Sequence, residues 1–222
     1  MVLTEEGLPG IVALVQQSRA VYQRVLTWII NKISRTILKA AFVAVAFLVT
    51  GRFVVSALGM IVLVFTSDFA KIALATDNVQ WSKHPESWDI TGPVELGSLL
   101  GGLLLLEALG LLAVGWHRFG LAASAGALNT FTFQALLYFG MVSIVSIRER
   151  RRFWASRPSW TLLAALAFEA SIATLVPSLG MPDFPPLPWH QTLFVFAYAV
   201  TFALFVNDFV KAAWVRRRAD GV

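Results

Sequence analysis

Six stretches of about 20 predominantly apolar residues follow one another along the chain, each long enough to cross the hydrocarbon core of a bilayer. They run over residues 29–51, 53–75, 94–115, 122–147, 159–179 and 189–210. Inside lipid no water is available to the backbone, so a single apolar run of this length satisfies its amides and carbonyls only as a helix. The expected fold is all-α, a six-helix transmembrane bundle. The composition agrees: 57% of residues are hydrophobic and 14% charged, whereas a soluble domain carries about a quarter charged. The first two runs meet near Gly51 and Arg52, which predicts a tight antiparallel hairpin.

Basic residues set the expected orientation. Arg148, Arg150, Arg151, Arg152 and Arg157 precede the fifth run, and Lys211, Arg216, Arg217 and Arg218 follow the sixth. They fall on the same side as Lys71, Lys83, Arg19, Arg24, Lys32, Arg35 and Lys39, leaving Arg52 and Arg118 opposite. The positive-inside rule then places both termini in the cytoplasm. Tryptophans prefer the headgroup region. Trp28, Trp116, Trp160, Trp189 and Trp214 lie at run ends, and Trp81, Trp88 and Trp154 in adjacent loops. Residues 181–188, with four prolines, cannot continue a helix and read as an outer loop.

Before the first run, Ile11, Val15, Val21, Val25, Ile29 and Ile33 recur at helical spacing without a breaker. A membrane-surface amphipathic helix would show the same pattern; the continuity favours a cytoplasmic stalk helix entering the first span. The net charge of +5 is spread beside apolar runs and not on a reading module, so no nucleic-acid partner is expected. Membrane lipids are the expected surroundings, with anionic headgroups near Arg150 to Arg152. The absence of cysteine excludes disulfides and thiolate metal sites. His84, His117 and His190 lack metal-ligand spacing, and no metal site is expected. Residues 1–10 have no secretory-signal pattern.

Acids within apolar runs carry the chemistry, because an ionised group at mid-bilayer costs about 2.5–3.5 kcal/mol and marks ion or proton handling by default. Asp68 is the foremost, with the hydroxyls of Thr66 and Ser67 beside it. Lys71 lies three residues on, so a helix-internal ion pair is the competing reading. Glu107 and Glu169 lie mid-run and read as secondary polar sites, buried and hydrogen-bonded to Ser, Thr, Gln134 or another polar group. Lys39 is a further candidate whose ammonium can snorkel to the interface. Asp208 and Lys211 suggest a surface pair. Gly97 and Gly101, with Ser98 and Gly102, provide small residues for close helix packing.

Several ordered motifs resemble the C-terminal part of P-type ATPases, nearest to the plasma-membrane proton-efflux pumps. They are Leu3-Thr4-Glu5-Glu6-Gly7-Leu8, Ser18-Arg19-Ala20-Val21-Tyr22-Gln23-Arg24, the Asp68 run leading to Thr76-Asp77-Asn78-Val79, and Pro85-Glu86-Ser87-Trp88. Residues 134–158, ending in Arg157-Pro158, are similar to the loop before the ninth helix of those pumps. The resemblance implies that the six spans are helices five to ten of a ten-helix pump. Residues 1–28 would be the end of the phosphorylation domain and the stalk, and residues 29–222 the transport domain with a cytoplasmic tail. It implies a plasma-membrane location, and that Asp68 with Thr66 and Ser67 lines the ion-translocation site. The family's internal basic residue falls by register at Leu38, one position from Lys39.

The chain carries no Asp-Lys-Thr-Gly-Thr, Thr-Gly-Glu or Gly-Asp-Gly-x-Asn-Asp segment. Phosphoryl transfer needs positioned acids and magnesium, so this chain is expected to hold no cofactor and no catalytic residue. ATP and Mg would bind the remaining pump domains, its expected partners. A stand-alone six-span scaffold or regulatory subunit is the alternative.

Overall fold

The computed structural model describes residues 8–79, 89–181 and 183–220. Trp81, Lys83, His84, the Pro85 to Trp88 motif, Pro182 and the motif before Leu8 lie outside the described residues. Helix α1 (Leu8–Thr50) is unbroken over 43 residues. At 1.5 Å per residue it is about 65 Å long, roughly twice the hydrocarbon thickness. Its first turns, residues 11–18, are mostly exposed and stand out as a stalk, and burial begins at Ala20, Gln23 and Leu26. The helix stops at Gly51, whose φ of +66° is left-handed and free of a Cβ penalty.

The expected tight turn is corrected, though α1 and α2 do meet antiparallel through Lys39 and Ser67. Residues 51–56 form an irregular link before α2 (Ala57–Leu74), whose first turn is capped by the Ser56 side chain accepting from the Gly59 amide at 3.0 Å. α1 runs mainly along α3 (Thr91–His117) and only brushes α2. The cause is the glycine pair of α3. A Cβ at position 101 would lie 2.9 Å from Ile37 Cβ, and one at 97 would lie 3.1 Å from the Ile30 carbonyl oxygen. Only glycine lets the two backbones approach so closely.

α4 (Ala125–Ile147) follows a short 3-10 turn (Leu121–Ala123) and is buried along nearly its whole length. It is the axis of the bundle, with α1, α2, α3, α5 and α6 against it. α5 (Trp160–Leu179) is capped by Ser159, and Pro177 sits in its last turn. The segment after it folds inward and closes that end of the bundle. Phe184 is buried against Phe133 with ring centroids 4.8 Å apart, Thr130 Oγ1 donates to the Pro185 carbonyl at 3.1 Å, and the Leu187 amide donates to the Pro177 carbonyl at 2.9 Å. Thr132 Oγ1 ties α4 to the Val54 carbonyl of the α1–α2 link.

The sixth span comprises α6 (Trp189–Val200), a π-helical stretch (Thr201–Val206) and α7 (Asn207–Asp220). At the end of that stretch the Asn207 amide donates to Phe202, five residues back. Outward faces are apolar, with Ile61, Phe65, Leu106, Leu175, Leu193 and Phe205 exposed, as lipid contact requires. The protein is a multi-pass membrane protein with six helices long and apolar enough to span.

Candidate functional site

The α1/α2 contact carries the first group of expected residues. Lys39 Nζ donates to Ser67 Oγ at 2.8 Å, reaching sideways into the contact. The Ser67 and Thr66 hydroxyls both bond backward, to the Val64 carbonyl at 3.1 Å and the Val62 carbonyl at 2.7 Å. Both residues are buried. Successive side chains on a helix diverge by about 100°, and Asp68 consequently faces away from the core. Its side chain is 54% exposed and accepts from Lys71 Nζ at 2.6 Å. Leu38 is 1% exposed, within the apolar core. The structure thus joins Lys39 to Ser67 and Asp68 to Lys71, and keeps the Asp68 carboxylate on the open face of α2. Beside it runs an apolar groove of ≈ 430 Å³, walled by Phe69, Ile72 and Ala73 of α2 and by Ala165 and Phe168 of α5.

Glu169 lies deeper. Its partner is Arg35, which in the sequence marks only orientation. Arg35 Nη2 donates to Glu169 Oε1 at 3.0 Å, with side chains 2% and 0% exposed. Gly140 of α4 provides the room: a Cβ there would lie 2.6 Å from Arg35 Nη2. Gln134 instead donates to the Ala173 carbonyl at 3.0 Å. Arg35, Asp68, Lys71 and Glu169 all lie within electrostatic reach of Lys39. Glu107 accepts from Asn207 Nδ2 at 2.9 Å, immediately after the π-helical stretch.

Two further ion clusters sit where α4 ends, on the stalk side. Asp77 accepts from Arg148 Nε at 2.7 Å and from the Ser159 amide at 2.8 Å, while its own carbonyl accepts from Arg24 Nε of the stalk at 2.9 Å. Arg148 also donates to the carbonyls of Ser156 at 2.9 Å, Asn78 at 3.0 Å and Arg157 at 3.1 Å. This clamp binds α1, the end of α2, α4 and the α4–α5 loop. Neither residue was singled out from sequence for such a role. Asp77 stood only within the motif Thr76 to Val79.

Asp208 and Lys211 do pair, at 2.6 Å, but the expected surface pair is corrected, since both are buried. α7 continues as helix and packs on the end of α4. Lys211 donates to the Ser146 carbonyl at 2.6 Å, and Asp208 accepts from the Phe153 amide at 3.1 Å. Arg152 approaches Asp208 at 3.6 Å. Part of the arginine run is therefore structural. At the surface, Arg218 of α7 reaches Glu95 at 2.5 Å and Asp89 at 3.3 Å. The Thr91 amide, donating to Asp89 at 2.9 Å, holds that carboxyl below its ordinary range.

No family model matches the chain. It is 28% identical over 218 residues, 98% of its length, to a putative cation-transporting ATPase of Methanocaldococcus jannaschii. It is 24% identical over 181 residues to plasma membrane ATPase 2 of Schizosaccharomyces pombe and to plasma membrane ATPase 1 of Saccharomyces cerevisiae, matches covering 79% and 81% of this chain. The chain spans 27%, 18% and 20% of those three relatives. By sequence the chain is similar to a cation-transporting ATPase and to plasma membrane ATPases, and its six apolar helices, the first of them the long α1, agree with the C-terminal membrane region of the P-type class.

Proposed function

We propose that the chain is the C-terminal ion-translocation region of a P-type cation-transporting ATPase that exports protons across the plasma membrane, with both termini in the cytoplasm. The ATP-hydrolysing domains are its partners and bind ATP and Mg. The observation that carries this reading is the unbroken α1, which runs from the stalk to the Lys39–Ser67 contact beside Asp68. A helix without a hinge transmits displacement of its outer half to its inner half. Motion of a phosphorylated domain at the stalk moves the Lys39 ammonium relative to α2 and so changes the field at Asp68. Thr66 and Ser67 keep oxygen lone pairs on the buried face of α2, and Asp68 supplies charge on its open face. A carboxylate–ammonium pair on the open face of a spanning helix is costly against lipid. Further membrane helices of the same pump cover that face, and the Phe69–Phe168 groove receives their apolar side chains.

The second reading, a six-span scaffold or regulatory subunit without transport, is favoured by one observation. Asp68 is already paired with Lys71 and turned from the core. The deciding experiment joins the chain to a separately expressed fragment bearing the phosphorylation, nucleotide and first four membrane elements. Vanadate-sensitive ATP hydrolysis and proton uptake into vesicles are then measured. Activity only in the mixture, abolished by Asp68→Asn without loss of association, supports the pump. Association without activity moves the assignment to the scaffold.

A further inference from the structure

Some of the buried polar atoms without partners belong to one face of α1 and to Glu169 of α5 opposite it. Among the described residues, both amide atoms of Asn31, Nε and Nη1 of Arg35 and Oε2 of Glu169 have no hydrogen-bond partner. Asn31 and Glu169 are fully shielded and Arg35 is 2% exposed. Asn31 and Arg35 stand one turn apart on the same face of α1, and Arg35 grips Glu169 through a single nitrogen. The remaining capacities are unlike. A guanidinium only donates, a carboxylate only accepts, and an amide does both.

No neighbouring carbonyl takes up the spare guanidinium donors. A small molecule that both donates and accepts meets all of these needs, and ordered water is the general solution for buried polar groups. We propose that Asn31, Arg35 and Glu169 form a hydrated proton-exchange site within the bundle, with ordered water as its ligand.

The charged groups around Glu169 are Arg35 and Lys39 from α1 and Lys71 from α2, with Asp68 next to both lysines. α4 presents the bare Gly140 face to the arginine, and α6 brings no charged residue except His190 at its first turn. Water held here lies between the stalk end of α1 and the Lys39–Ser67 contact. As a supplier of protons to the Asp68 group the site rests on the pump reading above; its hydration does not.

The test uses the whole chain in lipid nanodiscs, transferred to D2O and followed by infrared spectroscopy. Difference spectra against Arg35→Met and Glu169→Gln identify the guanidinium and carboxyl bands of the pair. The expected result is deuteration of the Arg35 band at least about tenfold faster than the amides of α4, which exchange only through larger opening. Asn31→Leu is expected to slow that exchange. An Arg35 band that deuterates as slowly as the α4 amides overturns the proposal, as does exchange unaffected by Asn31→Leu. If Arg35→Met does not fold, Arg35→Lys supplies the assignment. Failure of the chain to support proton pumping leaves these exchange results unchanged, so the two readings fail separately.

Discussion

Two buried arginine–carboxylate pairs serve the same molecule in opposite ways. Arg148 and Asp77 are bound to completion: the arginine donates to three carbonyls besides its acid, and the acid takes a backbone amide as well. Arg35 and Glu169 touch through one hydrogen bond and leave capacity unspent. The difference lies in the surrounding backbone. Around Arg148 the chain is irregular, and loop carbonyls at Asn78, Ser156 and Arg157 are free to accept. Around Arg35 the chain is helix on every side, and its carbonyls already serve i→i+4 bonds. Loops can finish an ion pair; packed spanning helices leave it open to a mobile ligand.

The largest effect follows from breaking the finished pair. Arg148→Met strands Asp77 and three carbonyls, and is expected to cost about 3–5 kcal/mol, read as a fall in thermal unfolding midpoint in detergent. A paired replacement sharpens the contrast. Arg35→Met with Glu169→Leu removes the open pair at little net cost, because buried ion pairs exchange for apolar groups neutrally or with gain. Arg148→Met with Asp77→Leu remains destabilised by at least about 2 kcal/mol, since the Ser159 amide and the loop carbonyls lose their partners. Equal effects from the two double variants would erase the distinction.

Lysine substitution gives a smaller separation. Arg148→Lys retains one point of contact in place of a fork and is expected to lose about 1–3 kcal/mol, while Arg35→Lys, reaching a single acceptor, loses less. The smallest effect is at the exposed counterpart, Arg218 with Asp89 and Glu95. Asp89 has its carboxyl held below the ordinary value, so its contribution is full above the unfolded pKa, about 3.9, and is lost as pH falls through the lower folded value. Amide protection factors at the start of α3, taken relative to intrinsic exchange at each pH, should fall over that acid interval and at no higher pH. A loss of protection near neutrality would exclude Asp89 as the cause.

The six spans were legible because run length and lack of charge mark a spanning helix whatever it packs against. The stalk was legible because nothing between Gly10 and Lys39 interrupts a helix. Which helix lies beside α1 was not. Gly97 and Gly101 announce a close approach, but a small-residue pair does not name its partner. The direction of Asp68 was equally hidden, since α2 is apolar toward both core and lipid and its composition does not mark an inner face. Arg35 and Arg148 looked like the other basic residues that set orientation; only the fold separates a buried arginine from a flanking one. The signal that could have drawn attention to Arg35 was its i,i+4 spacing from Asn31 on one side and Lys39 on the other, a polar stripe entering an apolar run.

The π-helical stretch gives the last span a length that does not match its residue count. One residue is accommodated as a widened turn, so everything after it is set back in phase. Restoring α-helical winding would rotate α7 by about 100° and translate it by about 1.5 Å relative to α6. Asn207 would then leave Glu107, and Asp208 and Lys211 would leave the end of α4, in a single movement. Winding every residue of Thr201–Val206 as α-helix therefore uncouples two contacts on different neighbours at once, while deleting one of them together with the widened turn keeps both: the widened turn is the phase key by which the final helix fits two locks together.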